Sequence, residues 1–542
     1  MKRIGLVGWA LLAACAPGGT TSEPGEDTVD TVPPDDTACT PGAGSCNGEF
    51  ARRCRDDGTG WDTQYCDPLL GLACNEATGA CTGSCAPQNL GQNYMGCEYY
   101  PTVTGNEVIS VFDFAVVVSN TTSNTAHVTI AWGGLTEPVQ FDVLPGAVQI
   151  GRLPWIHDLK GCMGETGISC AGERVPTSTL HPKGAYHLRS TQPITVYQFS
   201  PLDYQLAGEE TWSYTNDASL LFPVNAMGLE YVVAAWNFHA PESSETGSPG
   251  LLAITATADD THVTIRPTAD AEAALGAPEL RVGVDQDVTL QQGDVVEFFN
   301  FTGDFTGTHV TADKPVQVIG GHYCTYIPDE LGYCDHLEES IFPVLSLGRE
   351  YAVAPPAMHT LPDGKVRYVR IIAVSDDTTV TYDPPQSIST HIARAGEFIE
   401  VPDTDATFVI RATKKVLVAQ YMEGQEVAGA MGDPAMALAV PTDQYRLSYL
   451  FHAPTNYEEN YVEVFGPTTT EVVLDGAPIG ALTAIGGSGI GHRLVQLDAG
   501  PRDDGSHEIH ATAPFGISVY GYGQYTSYWY PGGLDLEPVI FE

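Results

Sequence analysis

"GLLAITATADDTHVTIRP", residues 250–267, is the stretch from which the fold class is read. Leu252, Ile254 and Ala256 alternate with their neighbours, Asp259-Asp260 interrupts, and Val263 and Ile265 resume the alternation. A period of two belongs to a half-buried strand, and an Asp pair between two such runs reads as the turn of a hairpin. The pattern recurs. "FAVVVSNTTSNTAHVTIAW" (114–132) precedes it, and "VRIIAVSDDTTVTYDP" (369–384) and "NYVEVFGPTTTEVVLDG" (460–476) follow it. Superposing Thr129, Thr264, Thr381 and Val473 gives spacings of 135, 117 and 92.

Two further signatures keep the same order. "STQPITVYQFS", "ADKPVQVIGGHY", "ATKKVLVAQYME" and "ATAPFGISVYGYG" superpose on Val196, Val318, Val418 and Val519, with spacings of 122, 100 and 101. "LFPVNAMGLEYVVAA" and "IFPVLSLGREYAVAP" link one unit to the next. Repetition at this period means duplicated structural units. Residues 229–323 hold about seven strand patterns, and a unit of about 100 residues with seven strands fits a β-sandwich. The expected fold is all-β: about four tandem antiparallel β-sandwich-like units, with a β-propeller of two blades per unit as the alternative. No amphipathic helical pattern exceeds about three turns.

The N-terminus bears on the compartment. Lys2 and Arg3 precede an apolar run, Ile4 to Ala14, too short for a permanent span. It ends in Leu12-Ala13-Ala14-Cys15, which resembles a bacterial lipobox, so residues 1–15 read as a lipoprotein signal peptide with Cys15 as the lipidated residue. Ala16, in place of Asp, points to the outer membrane. Residues 16–38 carry six acidic and no basic residues among Pro, Gly and Thr, the composition of a disordered tether. No other segment is apolar and long enough to cross a membrane.

Thirteen cysteines leave twelve once Cys15 is set aside, an even number suited to disulfides in an exported chain. Cys39, Cys46, Cys54, Cys66, Cys74 and Cys81 fall in a piece, residues 39–84, too small to rest on an apolar core. Fifteen pairings of six cysteines exist, and the sequence does not choose among them. Within the all-β region, residues 85–542, Cys85 with Cys97, Cys162 with Cys170, and Cys324 with Cys334 form three close pairs, each expected to close a loop as a disulfide. The formal net charge of −44, with 68 acidic against 24 basic residues, repels nucleic acid and anionic headgroups and favours basic partners or divalent cations.

"GGHYCTYIPDELGYCDHLEE" (320–339) concentrates the polar chemistry. With Cys324 and Cys334 joined, it reads as a clasp shaping a surface loop. His322, Tyr323, Asp335 and His336 are the candidate binding residues of that loop. Two His and a carboxylate are also a zinc donor set; a histidine beside a turn is more often a hydrogen-bonding residue, and no metal is assigned. The acidic turns at 258–261, 375–378 and 402–407 offer oxygen ligands of the kind calcium takes, but Asp also favours turns through its own backbone bonds. Calcium is the only cofactor they suggest. No His-Glu-x-x-His, nucleophile elbow or phosphate loop is present, so no catalytic residue is assigned. "GGSGIG" (486–491) reads as a turn around Ser488. His507 and His510, three apart on a strand, fall on opposite faces. The aromatic tail at 520–533 reads chiefly as core.

Three motifs in order carry a family resemblance. "NYMGCEYYPTVTGNE" (93–107), the long run "TGTHVTADKPVQVIGGHYCTYIPDELGYCDHLEESIFPVLSLGREYAVAP" (306–355) and "VYGYGQYTSYWYPGGLDL" (519–536) resemble the opening, central and closing motifs of the N-terminal domain of IgGFc-binding proteins. The resemblance covers about residues 85–542 and implies an extracellular β-rich binding or adhesive module. It assigns no Fc contact to any position here. The expectation is a lipid-anchored surface protein with a non-catalytic binding role. Its partner would be a surface, a matrix protein or a polysaccharide, with no nucleic acid, and its only membrane contact would be the anchor. A matrix-forming protein that associates with itself and an extracellular hydrolase acting on glycans or proteins are the alternatives.

Overall fold

The computed structural model describes residues 35–161, 176–206, 208, 210–240, 247–329, 332–357, 367–425 and 431–536. Cys15 and residues 16–34 of the expected tether lie outside the described residues; its end is not free, because Asp35 bridges to Trp61 and pairs with Arg52, and Asp36 pairs with Arg55 at 3.2 Å. So do Cys162 and Cys170, and the disulfide expected between Cys162 and Cys170 is not among the five that the described residues contain. That pairing stays an expectation of the sequence.

Four repeated units account for the all-β region. In the second unit the strands are β1 (Glu230–Val232), β2 (Gly250–Ala256), β3 (Thr261–Arg266), β4 (Gln286–Leu290), β5 (Val295–Asn300), β6 (His309–Ala312), β7 (Val316–Thr325) and β8 (Asp335–Ser340). One antiparallel sheet has the order β5-β2-β7-β8 and the other β1-β6-β3-β4. The same two orders recur in the other units. In the first and fourth, one long strand, Tyr186–Phe199 or Ser506–Tyr522, serves both sheets. Each unit is thus a two-sheet sandwich. The positions superposed in the sequence fall on structural equivalents: Val118, Ile254, Ile371 and Val462 pair with Val196, Val318, Val418 and Val519.

The stretch at 250–267 is not a hairpin. β2 pairs with β5 and β7, β3 with β4 and β6, and the two do not pair with each other. The turn between them is an arch that carries the chain from one sheet to the other, with Asp260 at φ 50°. The burial explains why. All seven residues of β2 are buried, as in a strand covered on both faces. β3 alternates, with His262 and Arg266 outward and Val263 and Ile265 inward. The β2 sheet is therefore internal to the molecule and the β3 sheet is its outer layer.

β8 is the strand that the pattern missed. "DHLEES" reads as a charged segment, yet every one of its residues is buried. Its equivalents are Ala218–Leu220, Met436–Leu438 and Ser527–Pro531. These four strands touch in a cycle, first to second to third to fourth and back to first, so the units close a ring with the β8 strands innermost. The chain ends help to close it. Leu534 O accepts from Tyr94 N, Gly532 O accepts from the Tyr197 hydroxyl at 2.6 Å, and Arg446 pairs with Asp535.

A repeated tyrosine holds the outer entry to each unit. The hydroxyls of Tyr99, Tyr231, Tyr351 and Tyr449 accept from the amide three residues earlier and donate to Ile194 O, Val316 O, Val416 O and Phe515 O. The small N-terminal module is stapled by Cys39–Cys54, Cys46–Cys74 and Cys66–Cys81, and Cys85–Cys97 ties the chain after it into the first unit. It leans on the first unit through Asp67–Arg189 at 3.1 Å. Among the described residues no helix is long and apolar enough to cross a membrane.

Candidate binding face at one end of the ring

The inner strands are pinned by one carboxylate. Asp217 accepts hydrogen bonds from Ala218 N (2.9 Å), Glu338 N (3.1 Å), Met436 N (3.2 Å) and Trp529 N (3.3 Å), one donor from the innermost strand of each unit. Burial pushes its carboxyl well above the usual range, and the amide donors oppose that shift. Around it, Glu338 accepts from Thr104 (3.0 Å), Gln198 (3.1 Å) and Ser219 (3.2 Å), and Glu297 accepts from Gly105 N (2.8 Å). The centre of the ring is a polar network built from buried acids, and burial also raises the carboxyls of Glu297 and Glu339.

In every unit the strand equivalent to β7 leads into the strand equivalent to β8, and the four connections meet at one end of the ring. They span residues 200–217, 326–334, 423–435 and 523–526. Gly424 N donates to Ile327 O (2.9 Å), joining the second and third units, and Gly432 N donates to Gly523 O (3.0 Å), joining the third and fourth. Asn216 N donates to Thr526 Oγ1 (3.1 Å), joining the first and fourth. The rings of Trp212, Tyr214 and Tyr333 gather around Tyr525, with centroids 6.4, 5.1 and 6.4 Å from it. Tyr333 is 52 % exposed, the other three are half-buried, and Glu210, Asp329 and Gln524 are exposed beside them. Among the described acidic residues of the four connections, Glu210 and Asp329 are exposed, Asp203 pairs with Arg152, and Asp217, Glu423 and Asp433 are buried. An aromatic cluster with the exposed carboxylates of Glu210 and Asp329 in the same connections is suited to a cationic or amphipathic partner.

The second of these connections is the clasp, closed by the Cys324–Cys334 disulfide. The candidate residues at its base are not on its surface. His322, Asp335 and His336 are wholly buried and Tyr323 is 3 % exposed. Their work is internal. Asp335 Oδ2 accepts from Thr526 Oγ1 (2.7 Å) and Ser527 N (3.3 Å), which ties the second unit to the fourth. Its burial raises its carboxyl well above the usual range. His336 Nε2 lies 3.5 Å from Glu338, and Tyr323 packs edge-on against Phe299. Among its described residues the loop exposes Asp329 and Tyr333, with Tyr326, Pro328 and Gly332 half-buried. The charged run 335–339 lacks the solvent that a surface loop would have because it forms the innermost strand.

His322 Nδ1 accepts from Cys324 N (3.2 Å), which requires the neutral ring. Burial, with His239 and His336 nearby, lowers its pKa to about 3. In the unfolded chain the same ring takes a proton at about 6.5. The folded pKa is depressed, so its contribution to stability is present above about 6.5 and is lost as pH falls toward about 3. Urea unfolding of His322→Gln should therefore lie below wild type at pH 8, with the gap shrinking steadily as pH drops below 6.5. A gap that does not change with pH would contradict the neutral buried ring.

The remaining sequence candidates serve the scaffold. Of the three close cysteine pairs expected in the all-β region, Cys85–Cys97 and Cys324–Cys334 are the disulfides formed, while Cys162 and Cys170 fall outside the described residues. In the arch turns, Asp259 and Asp376 accept from Gln292 N and Ala395 N, and Lys314 donates to the carbonyls of Asp259 and Asp260, as Lys414 does to that of Asp376. Those carboxylates and carbonyls are thus engaged within the protein. Ser488 closes its own turn onto Ile485 O. His507 is buried against Asp475 while His510 is exposed. In the tail, Tyr520, Tyr522, Tyr528, Trp529 and Tyr530 are core and Tyr525 belongs to the open face. An open cleft of about 660 Å³ between the second and third units contains Glu230 and Glu397, which pair with His309 and Arg394.

Sequence reasoning missed the central role of Asp217. Its signal was its place shortly before the Phe222-Pro223-Val224 run, matched at Phe342-Pro343-Val344. The sequence profile described as "IgGFc binding protein" matches residues 217–521, from Asp217 into the last β7-equivalent strand. The human protein named IgGFc-binding protein is 24 % identical over 319 residues, which is 58 % of this chain. The match spans 6 % of that protein's length.

Proposed function

The chain belongs to the IgGFc-binding protein family, and from that membership we propose that it is a lipid-anchored surface protein whose open loop face binds a partner without catalysis. The observation that carries the reading is the meeting of four connections, one from each unit, in a single cross-linked aromatic surface that also exposes Glu210 and Asp329. Cys15 would carry the lipid and residues 16–34 would hold the ring clear of the outer membrane, since Asp35 and Asp36 are already tied to the module. The partner would be a protein that presents arginine or lysine side chains, which can stack on Trp212 and the tyrosines while pairing with Glu210 and Asp329. IgG is the ligand named for the human relative. Here the reading goes only as far as a protein partner of basic character.

Specific, saturable retention of the protein on envelopes of the producing organism, above that of an unrelated acidic β protein, tests this. The double variant Trp212→Ala/Tyr525→Ala should weaken retention about 30-fold, the loss of roughly 2 kcal/mol typical of a central aromatic anchor. Arg394→Ala, in the cleft away from the loops, should leave it unchanged. Equal retention of wild type and the double variant would remove the loop face from the account, and self-association in place of retention would favour the matrix-forming alternative.

A further inference from the structure

The clasp carries a second feature that binding does not use. Glu107 closes the first family motif and Cys324 and Cys334 lie in the second, and the fold brings them together. A Glu107 carboxylate oxygen and the two sulfurs lie within 4.8 Å of one another, the only such set of three among the described residues. The sulfurs are bonded to each other, so the set cannot chelate a metal as thiolates would. What remains is a carboxyl held against a disulfide. The two sulfurs also differ in access. Cys324 is wholly buried at the end of β7, whereas Cys334 is half-buried beside the exposed Tyr333.

We propose that Cys324–Cys334 is a thiol–disulfide exchange site at which a small thiol attacks Cys334 and Glu107 gives a proton to Cys324. The step balances without an oxidant. The incoming thiolate forms a bond to Cys334 Sγ, the Cys324–Cys334 bond breaks, and its electron pair goes to Cys324 Sγ. The Glu107 carboxyl transfers its proton there, leaving a Cys324 thiol, a Glu107 carboxylate and a mixed disulfide on Cys334. The proton is needed because a thiolate at Cys324 would be a buried charge. Attack in the other sense is blocked by the burial of Cys324. Burial brings the Glu107 carboxyl to about 7, so a protonated fraction exists near neutrality, and the Lys160 ammonium opposes that rise. The Tyr326 hydroxyl, raised by burial and then by the charges of Glu107 and Asp433, is a second titratable group coupled to Glu107. The exchange would release the loop that presents Tyr333 on the open face.

The full chain, incubated with reduced glutathione at a fixed thiolate concentration across pH 6 to 8.5, quenched in acid, alkylated and mapped by peptide mass, tests this. Cys324–Cys334 should open at least about tenfold faster than Cys85–Cys97, with glutathione on Cys334. The rate should fall as pH rises through about 7 and Glu107 loses its proton. Glu107→Gln should slow opening at least about tenfold and flatten the pH profile, while Cys85–Cys97 opens as in wild type. Glutathione on Cys324, an unchanged rate in Glu107→Gln, or opening no faster than Cys85–Cys97 would overturn the proposal. Should Glu107→Gln speed the opening of Cys85–Cys97 and so betray a disturbed fold, the wild-type pH profile decides, and a flat profile overturns it.

Discussion

Asp217→Ala should open the whole ring. The substitution removes the shared acceptor of four buried amides, Ala218, Glu338, Met436 and Trp529, and each belongs to a different unit. An orphaned buried donor costs about 1–3 kcal/mol. Four of them together place the loss at about 4 kcal/mol or more, at the upper end for a single substitution. Asp217→Asn keeps one oxygen and introduces an amide that faces existing donors, so a loss of about 2–3 kcal/mol is expected. Urea unfolding near neutral pH, followed by tryptophan fluorescence, reads both. A change below about 1 kcal/mol for Asp217→Ala would show that the inner strands hold together without it.

Arg370 carries the second large effect. It sits on the third unit's equivalent of β2 and reaches into the second unit. Its guanidinium pairs with Asp304 and Glu400, each at 2.8 Å, and donates to Ala235 O (2.9 Å) and Thr306 Oγ1 (3.0 Å). It also lies 4.0 Å from the centre of the Trp236 ring and 5.3 Å from that of Tyr421. Removing one member of a buried charge network costs about 3–5 kcal/mol, because the partners are left uncompensated. Arg370→Ala should therefore destabilise by about that much. Arg370→Lys should recover less than half, since a point charge cannot serve both carboxylates and a ring face. Full rescue by lysine would mean that charge alone matters at this junction.

Much of the fold can be read from the sequence because strands announce their own periodicity. The Val263/Ile265 alternation marks an outer strand, and the superposed valines 196, 318, 418 and 519 mark the β7 positions. Short spacing likewise pointed to two disulfides that form, Cys85 with Cys97 and Cys324 with Cys334. Partner choice was not legible. Whether Gly250–Ala256 pairs with Thr261–Arg266 or arches past it depends on the strands that cover its faces, and those come from elsewhere in the chain. The run 335–339 is read as part of a surface loop for the same reason. A charged segment looks like a surface loop until ring closure supplies Asp217, Thr104, Gln198 and Thr526 to receive it. Arg370, one cation within "VRIIAV", gave a local signal whose meaning lay in Asp304 and Trp236, more than 60 residues earlier.

The open face exists only because the units close. Trp212, Tyr333 and Tyr525 lie on three different units and meet only at the end of a closed ring. Hydrogen exchange at the four amides that share Asp217 tests that closure most directly. Peptides covering Ala218, Glu338, Met436 and Trp529 should show the slowest exchange in the protein and a common opening free energy. In Asp217→Asn all four should lose protection together. Exchange at four unrelated rates, or loss of protection in one unit alone, would mean that the units stand independently and that the shared face is not fixed by the fold.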